Sequence, residues 1–292
     1  MTDPAERAAL RASVLRELLL APDGPLGRLE VVHRAGSTNT ELARALVQNP
    51  SGWPGVGLLV ADHQDGGRGR MGRNWQTPAR AALTLSISVW APGPAASLGW
   101  LPLLTGLGAV HALRATAGVP ATLKWPNDLL VPAPDGVELE GWGSRRKVGG
   151  ILSELVTTPA GPVAVLGIGL NVSQTAAELP VPTAISLVGA GARDLDREVL
   201  LVALVTALAD LQGRWRAAGG DVAAAGLADE VAAVCSTLGQ QVRVGLPGGT
   251  ELVGLALRLG ADGALVVRDD AGTNHAVLAG DVLHLRPAAA DG

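Results

Sequence analysis

The chain has 292 residues, 48% of them hydrophobic, and a formal charge of −4. That length suits one large domain plus a small appendage with a well-buried core, and the acidic balance argues against a general polyanion binder, which needs a basic surface. A lone cysteine, Cys235, excludes an internal disulfide and fits a reducing cytoplasm, while no stretch has the pattern of a signal peptide or the ~18 apolar residues of a membrane span.

Residues 1–26, containing "PAERAALRASVLRELLLA" and closed by "PDGP", read as an N-terminal helical segment. No second helix or recognition turn follows, so no helix-turn-helix is expected ahead of the main domain. "LEVVHRA" is a short strand, and "GSTNTELARALVQN" opens a helix in which Thr38 and Glu41 have capping-box spacing. Residues 55–64, "GVGLLVADHQ", and 81–90, "AALTLSISVW", read as strands on either side of a Gly-Arg loop. Residues 97–118 form a mostly apolar, buried helix. "TLKW", a Pro-Asn-Asp turn and "LLV" follow, and then a polar segment over 132–146, read as a loop or extended hairpin. "KVGGILSELVTT" and "PVAVLGIGLNVS" are two long strands joined by "PAG" in an antiparallel hairpin. Helices are expected around 193–218 and 221–234. From about 238 to 287, short strands separated by "LPGG", "GADG" and "DDAG" have the turn spacing of a small all-β barrel.

The composition points to where chemistry lies. There is no Phe or Tyr, and only Lys124 and Lys147 of the 23 basic residues are lysines. A lysine ammonium is compact where arginine presents a wide planar fork, so a lysine kept against an arginine-rich background marks a position worth inspecting. In "GRGRMGRNW" the glycines at 67, 69 and 72 allow positive φ and close backbone approach to a ligand, and Arg68, Arg70 and Arg73 supply forked donors for phosphate or carboxylate. The run lacks a P-loop pattern, and Trp75 follows as an aromatic that can stack on a base; it reads as a phosphate flap, with a bland surface loop as the alternative. In "KWPNDLLV", Asn127 and Asp128 sit together at a turn where they suit either a Mg²⁺ ion beside phosphates or a plain Asx turn. Lys147 opens "KVGGILSE", whose Gly149 and Gly150 allow a ligand against the backbone or form a bulge. "GIGLNV" ends on Asn171, "GSTN" gathers polar groups at a helix start where simple capping is the alternative, and Gln64 precedes the Arg loop. Together they describe a pocket for a nucleotide and a small acid.

These motifs, in this order over roughly residues 28–230, resemble the biotin protein ligases, and the C-terminal β segment looks like that family's SH3-like module. The resemblance implies an α+β fold, with a mixed-sheet catalytic domain over 27–235 and a small SH3-like barrel over 236–292, behind the 1–26 segment. It implies ATP-dependent formation of biotinyl-5′-AMP and transfer of biotin to a lysine of a carrier domain of acyl-CoA or pyruvate carboxylases. ATP and biotin with Mg²⁺ would be substrates, with no tightly bound cofactor, no DNA or membrane partner, and a cytoplasmic setting. By the same match, biotin falls to Ser37, Thr38, Asn39, Gln64, Arg68, Gly69, Arg70, Lys147, Gly149 and Gly150, with Lys147 and Arg70 catalytic. The nucleotide falls to Trp75, Lys124, Asn127 and Asn171, and the metal to Asp128. A lipoate or octanoate ligase shares the adenylation logic and remains an alternative, as does, remotely, an RNA-binding protein using the Gly-Arg loop.

Overall fold

The computed structural model describes residues 7–90, 95–246, 249–278 and 280–284. Its strands up to residue 171 are β1 (Arg28–Val32), β2 (Gly57–Ala61), the short β3 (Gly67–Arg68) and β4 (Asn74–Trp75), β5 (Ala82–Trp90), β6 (Thr122–Lys124), β7 (Asp128–Pro132), β8 (Arg145–Thr158) and β9 (Gly161–Asn171). Seven of them form one sheet in the order β1-β2-β5-β9-β8-β7-β6. β1 and β2 are parallel because helix α2 (Thr38–Gln48) crosses between them; the other neighbours are antiparallel. The expected "PAG" hairpin is β8–β9.

Period-two alternation sorts these strands onto two faces. Leu83, Leu85, Ile87 and Val89 of β5 join Leu166, Ile168 and Leu170 of β9 in the main core, under helices α1 (Ala12–Leu19), α3 (Leu101–Ala112), α4 (Arg197–Ala217) and α5 (Leu227–Val234). α3 is apolar all round and correspondingly buried. At Gly106 a Cβ would lie 2.5 Å from Leu123 Cδ1, and at Gly108 2.7 Å from Leu208 Cδ2, so both glycines set how closely the helix packs. The opposite sheet face is covered only in part, where Leu42 and Leu46 of α2 meet Trp53, Leu59, Val163 and Val165. The remainder of that face is the cleft described below.

Two local expectations are corrected. The N-terminal helix spans only Ala12–Leu19. Just before it, the Leu10 amide donates to Asp62 Oδ1 (3.2 Å) and the Arg11 amide to a Glu198 oxygen (2.6 Å), while Arg7 reaches Glu178 at 2.7 Å. Tertiary acceptors thus hold the chain extended where propensity alone favours helix. The capping box at Thr38 is also absent. Ser37 is the N-cap, the Thr38 hydroxyl is engaged elsewhere, and Glu41 accepts from the Gly36 amide at 2.5 Å.

Beyond α5 the chain turns all-β. β10 (Gln241–Gly245), β11 (Glu251–Leu259), β12 (Leu265–Arg268), β13 (Asn274–Val277) and β14 (Asp281–His284) form an antiparallel sheet ordered β13-β12-β11-β10-β14. Two tryptophans dock it on the preceding part of the chain: Trp100 Nε1 donates to Ala261 O at 2.8 Å and Trp125 Nε1 to Gly263 O at 3.1 Å. Residues 1–6 and 285–292, which belong to the expected terminal segments, lie outside the described residues.

Candidate active site

A cleft of about 460 Å³ opens on the uncovered sheet face. Its floor is low because side chains shrink there in register: Ser86 pairs with Gly167, and Gly169 pairs with both Thr84 and Gly150. Gly167 makes room for Asn39, whose Oδ1 lies 2.4 Å from where a Cβ would be, and Gly169 makes room for the Trp75 ring, with Cε2 at 2.5 Å from the same point. The glycines of "GIG" therefore seat two side chains of the site.

At one end the polar groups form a network whose polarity is fixed by obligate partners. The Thr38 amide and hydroxyl both donate to Gln64 Oε1, at 2.8 and 3.0 Å. Asn39 Nδ2 donates to the Leu152 carbonyl (3.2 Å) and to Glu154 Oε2 (2.7 Å). Buried Ser86 bridges the two, with its hydroxyl 2.8 Å from Thr38 Oγ1 and 2.6 Å from Asn39 Oδ1. A backbone amide can only donate and a carbonyl can only accept, so neither side-chain amide can be reversed. Gln64 consequently turns its NH₂ donors away from Thr38, while the Asn39 carbonyl accepts from Ser86 and keeps a second lone pair. Ser37, whose side chain does no capping, lines the cleft beside them.

The Gly-Arg run is a hairpin over the cleft. Gly67 pairs with Trp75 and Arg68 with Asn74, and the Gly69 amide closes the tip on Arg73 O at 2.7 Å. Of the three glycines only Gly72 has positive φ (73°); Gly69 is extended, and Gly67 is glycine because a Cβ would sit 2.3 Å from Trp75 O. Met71 takes φ 54° at the tip, a left-handed conformation that costs energy in a non-glycine residue. Arg70 Nη1 reaches Asn127 Oδ1 at 3.1 Å, joining the flap to the Pro-Asn-Asp turn, and Asn127 Nδ2 donates to Ile151 O at 2.8 Å.

Lys147 enters through a β-bulge. Leu129 pairs with Gly149 and Leu130 with Lys147, so Val148 is an extra residue in β8. The bulge brings Lys147 and Gly150, three residues apart, onto the cleft face. It turns Gly149 the other way, its missing Cβ pointing at Leu170 Cδ2 (2.6 Å) in the core, so this glycine, expected against the ligand, serves packing. Lys147 Nζ lies 2.6 Å from Asp128 Oδ1, and a Cβ at Gly150 would stand 3.1 Å from that ammonium. Asn171 lines the cleft with its amide braced, donating to Ile185 O (3.1 Å) and accepting from Gln174 (3.0 Å).

All the expected site residues except Gly149 line this one cleft. Among the described residues the lining cations are Arg68, Arg70, Arg73, Lys124 and Lys147, against one lining carboxylate, Asp128, so an acidic protein presents a cationic cleft. No cluster of three metal-ligating side chains occurs among the described residues. Sequence reasoning missed Ser86, Glu154 and Trp142. For Ser86 a signal existed: in "TLSISV" alternation puts Thr84 and Ser86 on one face, a polar row inside a strand. It also missed Val282 and Leu283 of β14, by which the C-terminal sheet reaches the cleft. Nearby, burial first, then the charges of Lys124 and Arg145, depress the pKa of His284 from 6.5 to about 4.

The cleft thus combines an oriented polar network with five cationic side chains, a lining that can hold an acid and a polyphosphate. Residues 31–172 match the biotin/lipoate A/B protein ligase family, and residues 237–285 match the biotin protein ligase C terminal domain. The chain is 38% identical to a biotin--[acetyl-CoA-carboxylase] ligase of Mycobacterium tuberculosis, over 96% of this chain and 97% of that one. It is 32% identical to the like-named ligase of Paracoccus denitrificans, over 82% and 93% of the respective chains. The chain belongs to the biotin protein ligase family. Its fold is shared with a biotin protein ligase of Aquifex aeolicus solved with biotin and ATP, at a TM-score of 0.67 and 24% identity, over 89% of this chain and 99% of that one.

Proposed function

We propose that this protein is an ATP-dependent ligase that activates biotin as biotinyl-5′-AMP and transfers it to a lysine of a biotin carboxyl carrier domain. The observation that carries the reading is the fixed polarity of the Gln64–Thr38–Ser86–Asn39 network. It offers donors from Gln64 and an acceptor from Asn39, matching the carbonyl and N–H of a cyclic urea. The dithiolane of lipoate and the chain of octanoate carry neither group at that end, and a site built to hydrogen-bond rejects an analogue lacking the partner by roughly 10⁴–10⁵.

In the first step a biotin carboxylate oxygen attacks the α-phosphorus of ATP and pyrophosphate leaves. Both reactants are anions, so their approach needs positive charge between them. Lys147 stands in the cleft on its bulge, paired with Asp128 at 2.6 Å, where its ammonium can bridge carboxylate and α-phosphate. Arg68 and Arg70, on the hairpin, supply forked donors from above, and Arg70's bond to Asn127 joins flap and floor. Trp75, pressed on Gly169 and lining the cleft, gives the flap an aromatic ring for the base, and Lys124 and Asn171 complete the nucleotide contacts. A Mg²⁺ ion brought with the triphosphate would be held by Asp128 and would screen the phosphate charge. One carboxylate beside phosphates suits Mg²⁺, and Asp128 has a second oxygen to offer.

In the second step the neutral amine of a carrier lysine attacks the acyl carbon, AMP leaves, and the amine proton passes to solvent. The hairpin over the cleft keeps water from the anhydride until then. Acceptors are the carrier domains of acyl-CoA or pyruvate carboxylases. The need for ATP and the single reduced cysteine support a cytoplasmic setting, and no helix among the described residues is long and apolar enough to cross a membrane. The test is ATP–pyrophosphate exchange with MgATP and biotin, lipoate or octanoate. Exchange with biotin alone is expected; exchange with lipoate or octanoate and none with biotin would overturn the reading.

A further inference from the structure

The segment between β7 and β8 is built to present one residue. It turns back on itself at Leu139 and Gly143, with the Leu139 amide donating to Gly143 O at 2.9 Å. Gly141 and Gly143, at φ 74° and 58°, stand on either side of Trp142, conformations that a residue with a Cβ adopts only under strain. Arg146 is buried inside the segment and ties it from within, donating to Val137 O at 2.7 Å and Gly143 O at 3.2 Å. On the outside, Gly141 bridges to His284 of β14, whose amide donates to Gly141 O at 3.3 Å. A Cβ on Gly141 would lie 3.0 Å from Leu283 Cδ2, so segment and C-terminal sheet are in close contact.

Trp142, thus held, lines the cleft with Lys124, Val282 and Leu283. The Lys124 ammonium lies over its ring, 4.0 Å from the centroid, and the residue as a whole is only 3% exposed. An ammonium that has lost most of its water gains more from an aromatic face than an exposed one does. The depressed pKa of His284 leaves that neighbour neutral at pH 7, so it adds no second positive charge beside Lys124.

We infer that Trp142 is a positioning residue for the nucleotide: its ring holds the Lys124 ammonium in the cleft, and the C-terminal sheet, through β14, holds Trp142. The inference rests on the adenylation reading for the identity of the ligand and extends it by giving the inserted segment and the second domain a shared task in ATP binding.

The test compares Trp142→Leu, which keeps apolar bulk but loses the aromatic face, with Trp142→Phe, which keeps a face. Binding of a non-hydrolysable ATP analogue is titrated on the full chain, alongside biotin binding and a thermal melt. Trp142→Leu is expected to weaken analogue binding about 5–30-fold, the range of a partly desolvated cation–aromatic contact, while Trp142→Phe stays within about threefold of wild type. Biotin binding should hold in both. In a Lys124→Met background, Trp142→Leu should add less than about twofold, since the group it acts through is gone. Unchanged analogue binding in Trp142→Leu, equal losses with Leu and Phe, or a full loss persisting without Lys124 would each overturn the inference. Absence of biotin-dependent exchange in the wild type would overturn the adenylation reading instead, and would leave the analogue titration to judge Trp142 on its own.

Discussion

Gln64→Glu is the sharpest perturbation of the ring-reading end. The substitution keeps shape and keeps an acceptor for the Thr38 amide and hydroxyl, now 2.8 and 3.0 Å from Gln64 Oε1. What changes is the other atom, where an NH₂ donor becomes a carboxylate oxygen facing a ligand carbonyl. Losing a buried hydrogen bond costs about 1 kcal/mol, and an unmatched charged group raises the penalty to about 3–4 kcal/mol in all. At about 1.4 kcal/mol per decade this is a ~10²–10³-fold weaker Kd for biotin. A protonated carboxyl would regain a donor, so biotin titration calorimetry belongs at about pH 8, where the carboxylate stays ionised. Binding of an ATP analogue is the internal control and should change less than about threefold, because Gln64 and Lys124 share no partner: Gln64 holds Thr38 and Lys124 lies on the Trp142 ring. Biotin binding within about fivefold of wild type would refute the assigned polarity, and with it the argument for a cyclic urea.

Three further outcomes are expected. Lys147→Ala should lower the rate of biotin-dependent pyrophosphate exchange by roughly 10²–10³, the scale of a lost electrostatic donor, and Lys147→Arg should not restore it, because a wide planar fork does not place a compact point charge where the ammonium stands beside Asp128; a rate near wild type in either variant would remove Lys147 from the chemistry. Arg70→Gly should loosen the flap, since it breaks the 3.1 Å bond to Asn127, and release adenylate that acylates added free lysine; leakage equal to wild type, measured by mass spectrometry, would count against the flap. His284 predicts acid sensitivity. Its folded pKa of about 4 lies below the ordinary 6.5, so as pH falls the unfolded chain takes up the proton first. Its contribution is therefore whole above pH 6.5 and is lost as the pH falls toward about 4, on the order of 3 kcal/mol. Urea denaturation across that window should show the slope in the wild type and a flatter one in His284→Asn; equal slopes would contradict the assignment.

Much of this was readable in the residues. Apolar runs located β2, β8 and β9, alternation located β5, and the Gly-Arg run, the Pro-Asn-Asp turn and Lys147 all meet in one cleft. What escaped the sequence was set by geometry across strands. The bulge at Val148 decides which of Gly149 and Gly150 sees the cleft, and nothing local to "KVGG" distinguishes them. The glycines of "GIG" have their reason in Asn39 and Trp75, more than ninety residues away along the chain. Ser86 works only because β5 pairs in register with β9. The N-terminal helix is shorter than its propensity because Asp62 and Glu198 capture amides just ahead of it. Trp142 and β14 meet because the C-terminal sheet packs on the segment between β7 and β8, a contact which no window of sequence contains.

The most direct measurement is a competition. The protein is incubated with MgATP, a biotin carrier domain and equal amounts of biotin and lipoate, and the carrier is analysed by intact-mass and peptide mass spectrometry. A cleft that reads a cyclic urea and joins its acid to ATP predicts one biotinyl group on one carrier lysine and no lipoyl group. A lipoylated carrier would contradict the assigned polarity of the site, and a carrier left unmodified by active, folded protein would contradict the ligase account itself.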